Sequence, residues 1–126
     1  MKIRFYFMAL LITTFLLSCN AQKAEGVERI TIETLKETVI GKELQLIDVR
    51  RPDEYAKGYI DDAVNIDIAD LDIFKQEIAK LDKTKPIYLY CHGGRRSNNA
   101  AKVVRELGFD TIYDFSGGWK VWSKNR

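Results

Sequence analysis

The sequence predicts an α/β domain, in which helices cover both faces of a mostly parallel sheet of about five strands. Two observations predict this class. Segments of strand character alternate along the chain with segments of helical period. The chain has 126 residues, of which 46% are hydrophobic and 30% are charged, so it is long enough for one domain with a real core and too short for two.

The first half of the domain supplies three predicted strands. A short strand around residues 29–31 leads into a helix with Thr31 near its N-cap, because threonine side chains accept hydrogen bonds from the free amides of a first helical turn. The apolar run at 44–49 predicts a buried strand. Pro52 then opens a brief helical turn, since its fixed φ suits the first helical position, and residues 63–66 form another short strand.

The second half supplies the longer predicted helices and two further strands. Large apolar residues recur at helical spacing over residues 71–81, with Asp70 as the cap. Residues 87–90 form the clearest strand of the sequence. An amphipathic helix follows around residues 100–107, and a strand at 111–113 and a last short helix complete the domain.

The amino-terminal segment has the pattern of a secretory signal. Lys2 and Arg4 precede an apolar stretch at 5–17 that contains no charge. As a helix this stretch reaches about 20 Å, which is short of the roughly 30 Å hydrocarbon core of a bilayer. We therefore expect residues 1–18 to be a signal peptide, and a permanent transmembrane helix is the alternative.

Residues 16–19, Leu-Leu-Ser-Cys, are similar to the lipobox of bacterial lipoproteins. That resemblance implies cleavage before Cys19 and a lipid on its thiol, so that residues 19–28 form a lipidated cysteine with a polar tether and residues 29–126 form the domain. It also implies a protein of the bacterial cell envelope that faces the periplasm, with the outer membrane favoured because residue 20 is Asn and not Asp. The alternative is a cysteine of an ordinary signal peptide or of a disulfide.

The charge of the chain excludes one class of partner. The sequence has 20 basic and 18 acidic side chains, and removal of residues 1–18 takes away Lys2 and Arg4. The remaining chain is formally neutral, whereas a protein that tracks phosphate groups needs a surplus of basic side chains. We therefore expect no nucleic-acid partner.

The candidate catalytic segment joins the clearest strand to the amphipathic helix. Cys91 follows that strand, at the edge of an open α/β sheet where ligands bind, and stands before a helix N-terminus. Gly93 and Gly94 allow successive backbone amides to point inward as an anion nest, and Arg95 and Arg96 add positive charge. These surroundings favour a thiolate, so Cys91 is the predicted nucleophile. The alternative is a buried cysteine that acts only as a small apolar residue.

Residues 91–97, Cys-His-Gly-Gly-Arg-Arg-Ser, are similar to the active-site loop of single-domain rhodaneses, where four residues separate a cysteine from an arginine. The resemblance extends from about Ile30 to Trp122, in the order and spacing of that family. The residues that carry it outside the loop are Leu46, Ile47, Asp48, Val49, Arg50, Glu54, Tyr55, Gly58, Ile60, Ala63, Asn65, Ile66, Phe115, Ser116, Gly117, Gly118, Trp119 and Trp122.

The resemblance implies a sulfurtransferase that works by a ping-pong reaction. Cys91 would take the sulfane sulfur of a small donor such as thiosulfate, hold it as a persulfide and pass it to cyanide or to a thiol acceptor. The resemblance implies no cofactor and no metal, and we expect a monomer. Apart from the lipid on Cys19, the expected partners are therefore the small sulfur donor and the thiol acceptor.

The resemblance also assigns roles within the loop. Backbone amides would surround the transferred sulfur, and the residues that supply them are His92, Gly93, Gly94, Arg95 and Arg96. The side chain of Arg95 would meet the anionic donor, and that of Arg96 would brace the loop. His92 stands beside Cys91 and is a candidate general base, although consecutive loop residues often point apart.

Three residues carry over from the family as supports of the loop, namely Asp48, Arg50 and Ser97. The first two end a strand that we expect beside the strand of Cys91. Their alternative role is a plain surface ion pair, which would contribute little to stability.

The spacing of the loop argues against other thiol chemistries. Phosphatase-type loops place five residues between cysteine and arginine, whereas four separate Cys91 from Arg96. A dithiol exchange needs a second thiol, and Cys19 is expected to carry lipid. One Cys and one His do not make a zinc site. One alternative stays open, a rhodanese-like module that carries persulfide sulfur or docks a partner at the membrane without turnover.

Overall fold

The computed structural model describes residues 26–126, which form one sheet of five strands covered by helices. The strands are β1 (Val27–Arg29), β2 (Gln45–Asp48), β3 (Val64–Asn65), β4 (Ile87–Tyr90) and β5 (Ile112–Asp114). The helices are α1 (Ile32–Thr38), α2 (Pro52–Ala56), α3 (Leu71–Ile78), α4 (Arg95–Glu106) and α5 (Gly118–Asn125). The predicted signal peptide at 1–18 and the predicted lipidation site Cys19 lie outside the described residues.

All neighbouring strands pair in parallel, in the order β1-β5-β4-β2-β3. The predicted α/β class is therefore confirmed. The chain runs from β2 to β3 on one side of the sheet and from β4 to β5 on the other, so the connections that follow the adjacent strands β2 and β4 diverge. Such a divergence leaves a crevice at the carboxyl edge of a parallel sheet. Cys91 follows β4 at this edge.

Helices cover both faces of the sheet because side chains along a strand alternate between the two faces. On one face, Leu46 of β2 and Tyr90 of β4 belong to a buried cluster with Leu35 of α1. On the other face, the neighbouring strand residues Ile47 and Leu89 belong to a second buried cluster that includes residues of α3 and α4. The two central strands are therefore packed from both sides, which fixes the edge where Cys91 lies.

The predicted capping residues begin two helices. The side chains of Thr31 and Asp70 each accept a hydrogen bond from the amide three residues further on, at 3.2 Å and 3.1 Å. β1 begins at Val27, earlier than predicted, because Thr31 belongs to the start of α1. α3 ends at Ile78 and not at residue 81, because the amides of Lys80 and Leu81 bond to carbonyl groups three residues back and tighten the chain into a turn. Within residues 26–126 no helix combines the length and the apolar character needed to span a bilayer.

Candidate active site

Cys91 occupies the first position after β4, the middle strand of the sheet. It is a free cysteine and only 1% of its surface is exposed. β2 holds β4 on one side, with Asp48 opposite Tyr90, and β5 holds it on the other, with Asp114 opposite Leu89. The candidate nucleophile thus follows the central strand, and the strand on each side of it ends in a carboxyl side chain.

One backbone amide and one hydroxyl group contact the sulfur of Cys91. Gly94 N–H donates to Sγ at 3.0 Å, and the thiol lies 3.6 Å from the hydroxyl oxygen of Ser97. Gly94 has a φ of +101°, and a Cβ at this position would lie 2.6 Å from the carbonyl oxygen of Ser116. Glycine is therefore required where the loop turns its amide toward the sulfur. An amide directed at Sγ stabilises negative charge on it.

The first turn of α5 holds the carbonyl groups of the loop. Trp119 N–H donates to the carbonyl oxygen of Cys91 at 2.8 Å, and Lys120 N–H donates to that of His92 at 3.0 Å. Gly118 has a φ of +59°, and a Cβ at this position would collide with the same two carbonyl groups. These two bonds fix the backbone of the loop that leads from Cys91 to Gly94. No pattern in the sequence predicts these two bonds.

Arg96 braces the loop through a partner on α2. Its guanidinium group donates to both carboxylate oxygens of Glu54, at 2.6 Å and 3.0 Å. These bonds are the main reason that the pKa of Glu54 falls from 4.5 to about 2. The structure thus gives the expected bracing role of Arg96 a specific contact. Glu54 was part of the sequence motif but had no role assigned to it.

Asp48 and Arg50 form a buried ion pair and not a surface one. Arg50 is 2% exposed and Asp48 is 0% exposed, and their closest approach is 2.7 Å between Nη2 and Oδ2. Arg50 also donates to the carbonyl oxygen of Gly58 at 2.7 Å, and its guanidinium carbon lies 4.9 Å from the centre of the Trp119 ring. Arg50 therefore contacts the helix that holds the loop carbonyl groups. Its support of the loop runs through Trp119.

Three of the predicted binding residues face outward. The side chains of His92 and Arg95 are exposed, and the space around Gly93 is open. Arg95 borders a cavity of about 320 Å³ whose lining also includes Arg29 and Asn98. An anion can therefore approach Arg95 from solvent. The exposed imidazole of His92 agrees with the expectation that consecutive loop residues point apart.

Asp114 is a buried carboxyl group near the site that was not predicted. It ends β5 and is 0% exposed. Its Oδ2 accepts a hydrogen bond from the Ser116 hydroxyl at 3.2 Å, whereas Oδ1 has no hydrogen-bond partner among the described residues. Burial raises the pKa of Asp114, against the opposing effects of the Ser97 and Ser116 hydroxyls and of the charge on Arg29. The signal that could have revealed it is an acidic residue at the end of a strand beside that of Cys91.

The arrangement suits covalent chemistry at sulfur. Sγ has a short amide contact and a hydroxyl neighbour, and the loop that carries them is braced by Arg96 and by α5. The Gly94 N–H donor suits negative charge on Sγ or on a sulfur atom attached to it, whereas the Ser97 oxygen accepts the thiol proton. Among residues 26–126 no three His, Cys, Asp or Glu side chains lie close enough together to hold a metal ion.

Sequence comparison connects this geometry to known proteins. The family model of the rhodanese-like domain matches residues 31–125. The Bacillus subtilis protein named uncharacterized protein YqhL is 43% identical over 81 residues, which cover 64% of this chain and 62% of YqhL. The thiosulfate sulfurtransferase GlpE of Shewanella oneidensis is 30% identical over 95 residues, which cover 75% of this chain and 91% of GlpE. The chain therefore spans less than two thirds of YqhL and nearly all of GlpE.

Structural comparison agrees with the sequence comparison. The crystal structure of a rhodanese-like domain protein from Staphylococcus aureus is similar to this chain with a TM-score of 0.66 and 29% identity. The similarity covers 75% of this chain and 90% of that protein. The α/β sheet and the position of its helices are therefore common to both proteins.

Proposed function

The chain belongs to the rhodanese-like domain family, whose general activity is sulfur transfer, and on this premise we propose that it carries sulfane sulfur as a persulfide on Cys91. The observation that carries the proposal is the hydrogen bond that the Gly94 amide donates to Sγ at 3.0 Å. A Cβ at position 94 would collide with the carbonyl oxygen of Ser116, so only glycine fits where the loop makes this bond. This N–H donor stabilises negative charge on the sulfur that must attack, and amides of the same loop are proposed to hold the terminal sulfur of the persulfide.

The proposed reaction has two half-reactions with thiosulfate as the donor. In the first, the Cys91 thiolate attacks the outer sulfur, a new S–S bond forms, and the S–S bond of thiosulfate breaks so that sulfite leaves with the electron pair. In the second, cyanide or a thiolate attacks the outer sulfur of the persulfide, and the Cys91 thiolate is released. The reaction needs no net oxidant, because the sulfane sulfur moves between nucleophiles.

The residues around Cys91 have separate roles in this proposed reaction. The exposed guanidinium group of Arg95 is placed to attract an anionic donor. Arg96 is bonded to Glu54 and keeps the loop in place. The buried pair of Asp48 and Arg50 supports the first turn of α5. Ser97 keeps its hydroxyl beside the thiol.

A lipid anchor on Cys19 is the second part of the proposal. It is supported by the basic residues, the apolar stretch and the Leu-Leu-Ser-Cys sequence that precede the domain. Several acyl chains contribute about 0.8 kcal/mol per buried methylene, which is enough to keep a protein on a membrane without a spanning helix. The domain would then transfer sulfur at the surface of the cell envelope, and the periplasmic face of the outer membrane is the favoured location.

The test is intact-mass spectrometry of the reduced full chain before and after incubation with thiosulfate. We expect a gain of about 32 Da, one sulfur atom, that cyanide removes with release of thiocyanate. The control is Cys91→Ser, which keeps Cys19 and should show no gain. The absence of a gain in a folded chain with a free Cys91 thiol would contradict the proposal. Loading from a persulfide donor but not from thiosulfate would instead indicate a carrier module.

A further inference from the structure

The cavity of about 320 Å³ beside the Cys91 loop has polar side chains from three parts of the fold. Its lining includes Arg29 at the end of β1, Gly93, Gly94 and Arg95 in and after the loop, and Asn98 and Asn99 on α4. Sites for organic ligands measure about 300–1,000 Å³, so a cavity of this size suits a small organic molecule better than an inorganic ion such as thiosulfate or cyanide.

The order of the strands brings Arg29 to this cavity. Arg29 lies opposite Asp114 of β5, and Asp114 lies opposite Leu89 of β4. Residues that lie opposite each other on neighbouring strands share one face of the sheet, and Leu89 belongs to the buried cluster that includes residues of α4. The side chain of Arg29 therefore points to the face that α4 covers, at the same edge of the sheet as Cys91.

Arg29 and Arg95 are cations without an acidic partner. Within residues 26–126 neither guanidinium group forms an ion pair or a hydrogen bond, whereas those of Arg50, Arg51 and Arg96 each pair with a carboxylate. Guanidinium groups bind carboxylates through two parallel N–H donors. Two such groups that are free and border one cavity are therefore suited to a ligand that carries a carboxylate.

The other polar groups near the cavity leave room for such a ligand. The side-chain amides of Asn98 and Asn99 can donate further hydrogen bonds to it. The carboxyl group opposite Arg29, that of Asp114, is buried and accepts a hydrogen bond from the Ser116 hydroxyl. The N–H donors of Arg29 are thus not taken up by Asp114 and remain available to an anion that enters from solvent.

Gly94 connects the cavity to the sulfur of Cys91. Its N–H donates to Sγ at 3.0 Å, and the same residue lines the cavity. In a persulfide the outer sulfur stands one S–S bond, about 2.05 Å, beyond Sγ. The reacting sulfur and the two free arginines are therefore separated by little more than the width of the loop at Gly94.

We propose that this cavity is a carboxylate subsite for the acceptor thiol, and that Arg29 selects acceptors whose carboxylate lies a few bonds from their sulfur. This inference rests on the proposed function, because it names the class of thiol that discharges the Cys91 persulfide. While Arg29 and Arg95 hold the carboxylate, the acceptor thiolate attacks the outer sulfur. A new S–S bond forms on the acceptor, the bond from the outer sulfur to Sγ breaks, and its electron pair stays on Cys91 as the thiolate.

The test compares three short thiols that differ in charge at neutral pH. They are 3-mercaptopropionate, an anion, 2-mercaptoethanol, which is neutral, and cysteamine, a cation. The full chain with Cys19→Ser, in which Cys91 is the single cysteine, is loaded with sulfur, freed of donor and mixed with each thiol. Mass spectra of samples quenched at successive times measure the rate of discharge.

We expect Arg29→Gln to change the preference among these thiols. It should slow discharge by 3-mercaptopropionate at least about fivefold, leave the rate with 2-mercaptoethanol within about twofold, and accelerate discharge by cysteamine. Each rate is compared with that of the parent chain for the same thiol, so differences in thiol pKa cancel. The unchanged rate with 2-mercaptoethanol also checks that the variant keeps its structure.

A matched variant and a second readout accompany this experiment. Lys102→Gln removes an exposed positive charge from α4 outside the cavity, and it should leave all three rates within about twofold. Binding is measured without sulfur transfer by amide NMR with 3-(methylthio)propionate, which has the carboxylate but no thiol. The signals of Gly94 and Asn98 should shift in the parent chain and stay unchanged in Arg29→Gln.

Three outcomes would overturn the proposal. They are an equal effect of Arg29→Gln on the three thiols, an effect of the same size in Lys102→Gln, and a loss confined to loading from thiosulfate, which would assign Arg29 to the donor. A persulfide that all three thiols discharge without regard to Arg29 would refute the subsite and leave the proposed function standing. A chain that takes up no sulfur would refute the proposed function, and the NMR titration would then decide by itself whether the cavity binds a carboxylate.

Discussion

Three carboxyl groups lie close to the carboxyl edge of the sheet, and their partners give each one a different electrostatic character. Asp48 is buried beside Arg50, Glu54 is partly buried beside Arg96, and Asp114 is buried beside two hydroxyl groups. An ion pair holds a carboxylate in its charged form, whereas burial raises the pKa of Asp114 despite its hydroxyl neighbours. The electrostatic character of each carboxyl group is therefore set by its partners and not by its residue type alone.

The Glu54 pair leads to a prediction about pH. The pKa of Glu54 is about 2 in the folded chain against an ordinary 4.5, so its ionised form stabilises the fold above pH 4.5, and this contribution is lost as the pH falls from 4.5 toward 2. Because Arg96 is partly exposed, we expect Glu54→Gln to lower the free energy of unfolding by about 1 kcal/mol near neutral pH. Urea denaturation of both chains at several pH values measures the difference.

The pH dependence of the stability difference tests whether the Glu54 pair acts through ionisation. The difference between the unsubstituted chain and Glu54→Gln should shrink below pH 4.5 and disappear near pH 2. Glu77→Gln is the control, because Glu77 pairs with Lys80 on an exposed surface and far from the loop. It should have little effect at any pH. A Glu54→Gln difference that stays constant down to pH 2 would show that the pair does not act through ionisation.

At the scale of elements, local signals were predictable and long-range contacts were not. The predictions of Thr31 and Asp70 as caps are confirmed, because a capping side chain bonds to an amide only three residues away. The predicted strand before Cys91 is confirmed, because a run of consecutive apolar residues is enough to predict it. The bonds from α5 to the carbonyl groups of Cys91 and His92 join residues that are 28 apart in the chain, and no periodicity marks them.

The same distinction explains why Asp114 was missed. Its burial results from the position of β5 between β1 and β4, which is a matter of strand order. An alternation of strands and helices predicts a parallel sheet but does not specify which strands are neighbours. The partner of Arg96 escaped prediction for a similar reason, since Glu54 lies on a different element and 42 residues away.

A substitution at Gly118 tests the contact between α5 and the loop of Cys91. Gly118→Ala would place a methyl group against the carbonyl groups of Cys91 and His92 and would force a side chain into a left-handed backbone conformation at φ +59°. That conformation costs about 1–2 kcal/mol, and the collision adds a shift of the loop. Since a displacement of about 1 Å at a reacting group can cost about 100-fold in rate, we expect persulfide formation from thiosulfate to slow by at least tenfold.

The control for this variant carries the same backbone strain away from the site. Gly41 has a φ of +76°, and a Cβ there would meet no atom within 4 Å. Gly41→Ala should therefore lower stability by about 1 kcal/mol and leave the rate of sulfur loading unchanged. Mass spectra of samples quenched at successive times measure the rates, and thermal unfolding measures stability. Equal losses of rate in the two variants would show that strain alone, and not the contact with the loop, is responsible.

At the scale of the whole molecule, the parallel sheet separates the point where the domain begins from the point where chemistry occurs. The chain enters β1 at Val27, at the amino edge of the strands, and Cys91 follows β4 at the carboxyl edge. Because every neighbouring pair of strands is parallel, these two edges are opposite. The start of the domain at Val27 and the candidate active site therefore lie at opposite edges of the sheet.

Lipidation of Cys19 changes the thiol content of the molecule, and this gives the prediction for the whole chain. The sequence has two cysteines, so an anchored protein keeps Cys91 as its single free thiol, whereas an unmodified chain has two. We expect the protein isolated from the membranes of a Gram-negative host to begin at Cys19, to gain the mass of its acyl chains, to partition into detergent and to react with one equivalent of thiol reagent. Cys19→Ser should remain uncleaved and carry no lipid, whereas Cys91→Ser should be lipidated and show no free thiol. A mature chain that begins elsewhere or titrates with two thiols would contradict the anchor and leave the proposed chemistry of Cys91 standing, because the contacts that carry it lie within residues 26–126.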